Sequence, residues 1–167
     1  MEHELLRANA ADINARLGPL ELIVELGPGS GGKLAALLRH RTRKTVSVQL
    51  VDVSTEALDQ ASRTLASERG VSVQLRRQTY GEGLMRLARS RHRGTTLVVF
   101  LGSNIGNFDA ASADALLRGM RAAVRTGGAI LLGTDFVKPE SELLRAYDDP
   151  LGVTAAFNRN LLVRINR

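Results

Sequence analysis

The chain has 167 residues, of which 44% are apolar, and it carries a formal net charge of +6 at pH 7. This size and apolar content predict a globular domain with a buried core and exclude a disordered chain. No apolar run approaches the roughly 18 residues of a membrane span. The sequence contains no cysteine, which excludes disulfides and thiolate metal sites and fits a reducing compartment, so we expect a cytoplasmic protein without a membrane partner.

The positive charge comes from arginine, since only 3 of the 23 basic residues are lysines. A basic surface can attract nucleic acid. Here the basic residues are spread along the chain, and the densest cluster, Arg39–Lys44, lies between two predicted elements. We interpret these residues as a solvated surface and do not expect nucleic acid as a partner.

The spacing of apolar residues predicts a regular alternation of helices and strands, with glycines and prolines between them. In chain order these are a helix over 4–17, strand Leu20–Leu26, a helix over 31–41, strand Val46–Val51, a helix from the cap Ser54 to Gly70, strand Val71–Leu75, a helix over 82–91, strand Leu97–Leu101, a helix from the cap Asp109 to Gly127, strand Ala129–Leu132 and a helix over Glu140–Tyr147. A loop and an apolar terminal stretch follow.

This alternation predicts an α/β fold with a doubly wound, mostly parallel sheet and right-handed crossovers. The expected strand order is 3-2-1-4-5, within a single domain over 1–167 that begins with a helix inside 1–18. In such sheets ligands bind at the carboxyl ends of strands 1 and 4, where the strand order reverses.

A glycine-rich turn follows the first predicted strand and reads Glu25-Leu26-Gly27-Pro28-Gly29-Ser30-Gly31. With Gly32, which follows it, the turn satisfies the dinucleotide fingerprint as Gly27-x-Gly29-x-x-Gly32, and Asp52 lies about 20 residues past the last glycine, where a ribose-binding acid is expected. The turn also has the spacing of the first methyltransferase motif. The loop alone therefore predicts an adenosine-type cofactor and leaves S-adenosylmethionine and a nicotinamide dinucleotide both open.

The segment Phe100–Phe108 follows the fourth strand and contains two glycines and two asparagines. It stands where a substrate's reacting atom would meet the cofactor, so we interpret the segment as functional. For Asn104 itself we expect only a capping role for the next helix.

Four segments resemble the histidine-specific methyltransferase family, and the resemblance covers roughly residues 20–167. They are Leu101–Phe108, Gly133–Lys138, Ala146–Asp149 and Gly152–Asn160. The resemblance implies a Rossmann-like class I methyltransferase fold, S-adenosyl-L-methionine as cofactor, and N-methylation of the α-amine of an amino acid, histidine or a related amine. Members of the family act in ergothioneine biosynthesis, and fungal relatives methylate dimethylallyltryptophan.

The resemblance also implies the cofactor-binding residues. Lys33 would reach the cofactor carboxylate, and Asp52 would accept from the ribose hydroxyls. Thr79 and Tyr80 stand where many members have Asp-Phe beside the adenine. The Thr-Tyr pair of this chain is more similar to the fungal branch of the family. The full set is Glu25, Gly27, Pro28, Gly29, Ser30, Lys33, Asp52, Thr79, Tyr80, Gly102 and Ser103.

On the substrate side, Gly102, Asn107 and Tyr147 match the family positions that hold the amino acid, so we expect them to position the amine. Methyl transfer needs a lone pair aimed at the methyl group, which is mostly a matter of positioning. We do not expect a histidine to act as the base, since His3, His40 and His92 lie in the first helix or in basic surface segments. No metal is expected.

Members of the family are about twice as long as this chain. Residues 150–167 would begin a substrate-binding insertion, which the last strands of the sheet follow, and we expect both to be missing here. The edge of the fifth strand would then be open unless a partner chain or a further C-terminal region covers it. Three alternatives remain: a fragment of the enzyme, a split enzyme completed by another chain, and a non-catalytic module that binds S-adenosylmethionine.

Overall fold

A computed structural model of the chain describes residues 2–90, 92, 94–124 and 127–165. The elements in chain order are α1 (Glu2–Leu17), β1 (Leu22–Leu26), α2 (Gly32–Leu38), β2 (Val46–Asp52), α3 (Thr55–Leu65), β3 (Val71–Arg77), α4 (Tyr80–Arg89), β4 (Thr96–Phe100), a 3-10 helix (Asn104–Asn107), α5 (Ala110–Ala123), β5 (Ala129–Leu132), α6 (Glu140–Tyr147) and α7 (Val153–Ile165). In the part of the chain covered by these ranges, no helix is long and apolar enough to cross a bilayer.

The five strands form one parallel sheet in the order β3-β2-β1-β4-β5, which confirms the predicted topology. β1 lies at the centre, and its last residue, Leu26, pairs with Val51 in β2 and with Phe100 in β4. The strand order reverses between β1 and β4. The carboxyl ends of β1 and β4 therefore lie side by side at one edge of the sheet, which is where the sequence predicts that a ligand binds.

Helices cover both faces of the sheet, so the central strands are buried throughout. α1, α2 and α3 pack on one face around Ile23, and α4 and α5 pack on the other around Leu22 and Val24. Every residue of β1 and β4 is buried. This explains why Leu97–Leu101 reads as a continuous apolar run instead of an alternating one.

The predicted helix over 31–41 is shorter in the structure and ends at Leu38, because the arginine cluster that follows forms a stabilised turn. The Arg41 guanidinium donates to the carbonyl oxygens of Leu38, at 2.8 Å, and of Arg69. Neighbouring residues form two ion pairs, Arg39 with Glu68 and Arg43 with Glu21. The densest basic cluster is thus largely engaged within the fold.

The chain divides into two compact units, residues 1–134 and 135–167, and the second contains α6 and α7. Within the second unit, the Asp149 carboxylate accepts from the backbone N–H groups of Val153 and Thr154, at 2.9 and 2.7 Å. This contact stabilises the start of α7, a helix that we had not predicted in the apolar terminal stretch. The single domain over 1–167 stays a prediction.

Asn14 joins α1 to α2. Its buried side-chain amide donates to the carbonyl of Ala10, at 2.8 Å, and to the carbonyl of Leu37 in α2, at 2.9 Å. Asn9 makes the same type of bond within α1, to the Leu5 carbonyl, but is exposed.

We expect Asn14→Ala to destabilise the protein by about 1–3 kcal/mol, because it removes the buried hydrogen bond between α1 and α2 and leaves the Leu37 carbonyl with the longer bond from the His40 N–H, at 3.3 Å. The matched change Asn9→Ala should cost about 0.5 kcal/mol or less. Urea unfolding followed by circular dichroism measures both. Equal losses in the two variants would contradict the role of Asn14 as a link between the helices.

Glu25 is a carboxyl group inside the central strand, and only 2% of its surface is exposed. Among the described residues, its Oε2 atom has no hydrogen-bond partner. Burial raises the pKa of Glu25 to about 8, against the opposing effect of the Lys33 charge. Between pH 4.5 and about 8 the folded state therefore retains a proton that the unfolded chain has lost, and the stability from this group falls as pH rises.

Glu25→Gln should remove this pH dependence, since an amide of the same shape does not ionise. We expect the variant to be more stable than the wild type at pH 8 by on the order of 2–4 kcal/mol, with the difference shrinking toward pH 4.5. Chemical denaturation at both pH values measures it, with exposed Glu56→Gln as the control. A stability difference that is independent of pH would show that Glu25 is ionised in the folded protein.

Candidate functional site

The strand register brings three chain segments together at one edge of the sheet. Since Leu26 pairs with both Val51 and Phe100, the residues that follow these strands begin at the same level. The backbone N–H of Gly27 donates to the Val51 carbonyl at 2.9 Å, which holds the first loop against the end of β2. The candidate site therefore lies where the topology predicts it.

The loop after β1 depends on glycine at three positions. Gly27, Gly29 and Gly31 have φ values of +66°, +52° and +77°, a backbone region that side chains with a Cβ rarely adopt. The Gly31 N–H donates to the carbonyl of Pro28 at 2.9 Å and closes the turn. Pro28 is buried, whereas Gly29 and Ser30 are exposed. The tip of the loop thus presents backbone to solvent.

Helix α3 supports the other side of this loop. A Cβ at Gly31 would stand 2.9 Å from the Cα of Ala61, so only glycine fits against the helix. The hydroxyl of Thr64 donates to the Ser30 carbonyl at 2.7 Å. These contacts hold the glycine loop against α3.

Tyr80, the first residue of α4, reaches the glycine loop from the end of β3. Its ring packs edge-on against Phe100, with 5.4 Å between ring centroids. Its hydroxyl oxygen stands 2.7 Å from the place that a Cβ at Gly27 would take. Burial and then the charge of Asp52 raise the pKa of Tyr80 above its usual value. The phenol therefore stays protonated near neutral pH beside the glycine loop.

Asp52 is the last residue of β2, as the ribose-binding hypothesis requires. One carboxylate oxygen, Oδ1, accepts from the backbone N–H of Ser54 at 2.9 Å. This contact orients the side chain at the strand end. The charge of Asp52 also contributes to the raised pKa of Tyr80.

Thr79 caps α4. Its hydroxyl accepts from the Glu82 N–H at 3.3 Å and donates to the Glu82 carboxylate at 2.8 Å, and that carboxylate also accepts from the Thr79 N–H. Both hydroxyl functions are thus engaged in a capping box. The predicted contact of Thr79 with adenine stays a prediction. The Glu82 carboxylate, in the first turn of α4, lies beside Thr79 and was not among the residues predicted for the site.

The segment after β4 turns sharply. Gly102 and Ser103 have φ values of +87° and +55°. The side-chain amide of Asn104 donates to the carbonyl of Leu101 at 3.0 Å, and its nitrogen stands 3.5 Å from the position of a Cβ at Gly102. The cap of α5 is Asp109, as the sequence predicts, and its Oδ1 accepts from the Ser112 N–H at 2.7 Å.

Asn104 therefore lies beside Gly102 at the candidate site and does not cap α5. The capping role expected for Asn104 from the sequence is wrong. The same amide nitrogen stands 3.6 Å from the position of a Cβ at Gly27. Asparagine often caps helices, which explains the expectation from the sequence. Here the Asn104 amide donates instead to the carbonyl of Leu101, and only the folded turn after β4 brings these two groups together.

Lys33 extends from α2 across the end of the sheet to the β4 loop. Its ammonium nitrogen stands 3.2 Å from the position of a Cβ at Gly102. It forms an ion pair with Oε2 of Glu2 in α1, and Oε1 of Glu2 accepts from the Gly102 N–H at 2.9 Å. Glu2 carried no signal in the sequence, because its role depends on where α1 packs.

The three predicted amine-positioning residues have different surroundings. Gly102 lies among the predicted cofactor residues. Asn107 is exposed at the end of the 3-10 helix. Tyr147 is the last residue of α6, belongs to the second unit and is exposed. Their role in holding an amine stays a prediction.

The chain is similar to curated proteins of known activity. A histidine N-alpha-methyltransferase from Mycobacterium tuberculosis is 39% identical over 170 residues, which cover 99% of this chain and 51% of that protein. One from Mycolicibacterium smegmatis is 37% identical with the same coverage. The ergothioneine biosynthesis protein 1 of Neurospora crassa is 27% identical over 99% of this chain and 19% of its own length. The chain spans about half the length of the two bacterial relatives.

Solved structures share the fold. The SAM-bound amino pentose methyltransferase CalS10 from Micromonospora echinaspora superposes with a TM-score of 0.55, at 19% identity, over 84% of this chain and 53% of that one. The sugar N-methyltransferase KedS8 from Streptoalloteichus sp. gives a TM-score of 0.53, also at 19% identity, over 84% and 49%. These similarities establish a Rossmann-like methyltransferase fold.

The family is established by a match along the whole sequence, which includes the glycine loop, the β4 loop and the second unit. The family is described as histidine-specific methyltransferase, SAM-dependent, and residues 1–167 match it. The chain therefore belongs to the histidine-specific, SAM-dependent methyltransferase family.

Proposed function

We propose that this chain is the cofactor-binding part of an N-methyltransferase that uses S-adenosyl-L-methionine and acts on the α-amine of an amino acid, histidine or a related amine. The observation that carries the proposal is the convergence of Lys33, Tyr80 and the two glycine turns at one sheet edge. Family membership supports the sulfonium cofactor over a nicotinamide dinucleotide, a choice that the glycine loop left open.

The side chains at this edge fit the chemical groups of S-adenosylmethionine. An ammonium at Lys33 suits the carboxylate of the methionyl part, and the carboxylate of Asp52 suits ribose hydroxyls. Gly27 and Gly29 have no Cβ atom that would prevent close approach of a ligand to the loop backbone. Tyr80 adds an aromatic ring and a protonated phenol beside this loop. Glu25 and Pro28 form the buried base of the loop, and Gly29, Ser30 and Ser103 complete the set that we propose.

The bound cofactor supplies an electrophilic methyl group on a sulfonium. What the protein must do is hold the amine with its lone pair toward that methyl group, at about 3 Å. We propose that Gly102, Asn107 and Tyr147 contribute to this, since an amide and a phenol hold an amine by neutral hydrogen bonds. Neutral partners leave the amine free to lose the proton that it must give up before attack.

Asp52→Asn tests the cofactor site, because it retains an oxygen for the Ser54 N–H and removes the charge. We expect the affinity for S-adenosylhomocysteine to fall by about 1–3 kcal/mol, the cost of losing charge-assisted hydrogen bonds. Calorimetric titration measures it, with exposed Asp59→Asn as the matched control. An affinity unchanged by Asp52→Asn would exclude contact with the ribose, and binding of NAD by the wild type would favour the other cofactor.

The second test asks for methyl transfer. We expect labelled S-adenosylmethionine to label one amine class from a panel of histidine, dimethylallyltryptophan and other α-amines. If the hydroxyl of Tyr147 holds the amine, Tyr147→Phe should reduce the rate of this transfer roughly tenfold or more. Transfer to none of these amines, with S-adenosylhomocysteine bound normally, would favour a binding module or one half of a split enzyme. Adding the C-terminal half of the Mycobacterium tuberculosis relative in trans would then separate these two alternatives.

A further inference from the structure

The Glu2 carboxylate lies between Lys33 and Gly102 at the candidate cofactor site. One oxygen pairs with the Lys33 ammonium and the other accepts from the Gly102 N–H at 2.9 Å. The same carboxylate contacts Gly133 at the end of β5, where there is no room for a Cβ. Three elements of the fold therefore surround a single carboxylate, and that carboxylate comes from α1.

An ammonium and a backbone N–H that converge on one carboxylate form a binding site for this group. We propose that Glu2 is an intramolecular competitor that occupies the subsite for the carboxylate of the methionyl part of the cofactor. This inference rests on the proposed function, which assigns Lys33 to that carboxylate. Cofactor binding then requires the Glu2 side chain to leave Lys33 and Gly102.

The surroundings of Glu2 make this exchange feasible. The side chains of Lys33 and Glu2 are 36% and 31% exposed, so water can replace each partner as they separate. Ion pairs with this exposure contribute little to stability. The rest of α1 is held further along the helix, by the buried Leu6 and Ala10 and by the bond of Asn14 to α2. Release of Glu2 therefore needs only a side-chain rotation or a shift of the first turn.

Competition of this kind lowers affinity without changing the contacts in the complex. The apparent dissociation constant equals the intrinsic constant divided by the fraction of molecules in which the subsite is open. Although burial by itself raises the pKa of Glu2, the contacts with Lys33 and Gly102 outweigh it and lower that pKa. Glu2 is therefore charged, and competes, throughout the neutral range.

Glu2→Gln in the full chain tests the inference, because it keeps the side-chain shape and removes the charge that Lys33 attracts. The ligands are S-adenosylhomocysteine, which has the carboxylate, and 5′-methylthioadenosine, which has neither the carboxylate nor the amine. The control is Asp12→Asn, which makes the same charge change at an exposed position of α1. We expect Glu2→Gln to bind S-adenosylhomocysteine roughly two- to tenfold more tightly, with 5′-methylthioadenosine and the control unchanged.

Equal affinities of the wild type and Glu2→Gln for S-adenosylhomocysteine would overturn the competition and leave the proposed function standing. So would an equal gain for both ligands, because it would indicate a general loosening of the site. Weaker binding by Glu2→Gln would show that Glu2 supports the site instead of blocking it. If neither ligand binds to any of the three proteins, the proposed function fails, and the inference fails with it.

Discussion

The parallel pairing of β1 with both β2 and β4 positions every loop of the candidate site that follows these strands. Because Leu26 lies between Val51 and Phe100, three chain segments leave the sheet at the same level. The loops that follow lie at the edge where ligands bind in sheets of this topology. The glycine loop, Asp52 and the Gly102 turn each lie at one of these three strand ends.

Two separate constraints favour glycine in the first loop. The positive φ values of Gly27 and Gly31 already favour it, and a Cβ at Gly31 would in addition collide with the backbone of Ala61. The glycine loop is therefore preformed by contacts within the first unit. A preformed loop spares a ligand the entropic cost of ordering it.

Charge is distributed in this site by depth. Glu25 is fully buried and favours its protonated form, whereas Asp52 and Lys33 lie near the surface, where water supports their charges. The same edge therefore offers neutral groups at its base and charged groups at its rim. A ligand with an aromatic ring, hydroxyls and a carboxylate matches this distribution, which agrees with the family to which the chain belongs.

The fold follows from the residue pattern alone. Apolar periodicity and glycine positions predicted the five strands and their order, because a strand covered on both faces is mostly apolar and its crossover helix is amphipathic. Sequence also located the glycine turn, Asp52 and the β4 loop, since these follow directly from strand ends. It missed the terminal helix α7 and misplaced the role of Asn104.

Which side chains contact one another depends on how the elements pack. That Asn104 bonds to the Leu101 carbonyl, that the hydroxyl of Thr79 is used by Glu82, and that Glu2 reaches Lys33 depend on chain directions after the turns. Glu2 and Gly102 are 100 residues apart, and no local pattern links them. Residue spacing specifies which face of an element is apolar, but the meeting of side chains from different elements is set by how those elements pack.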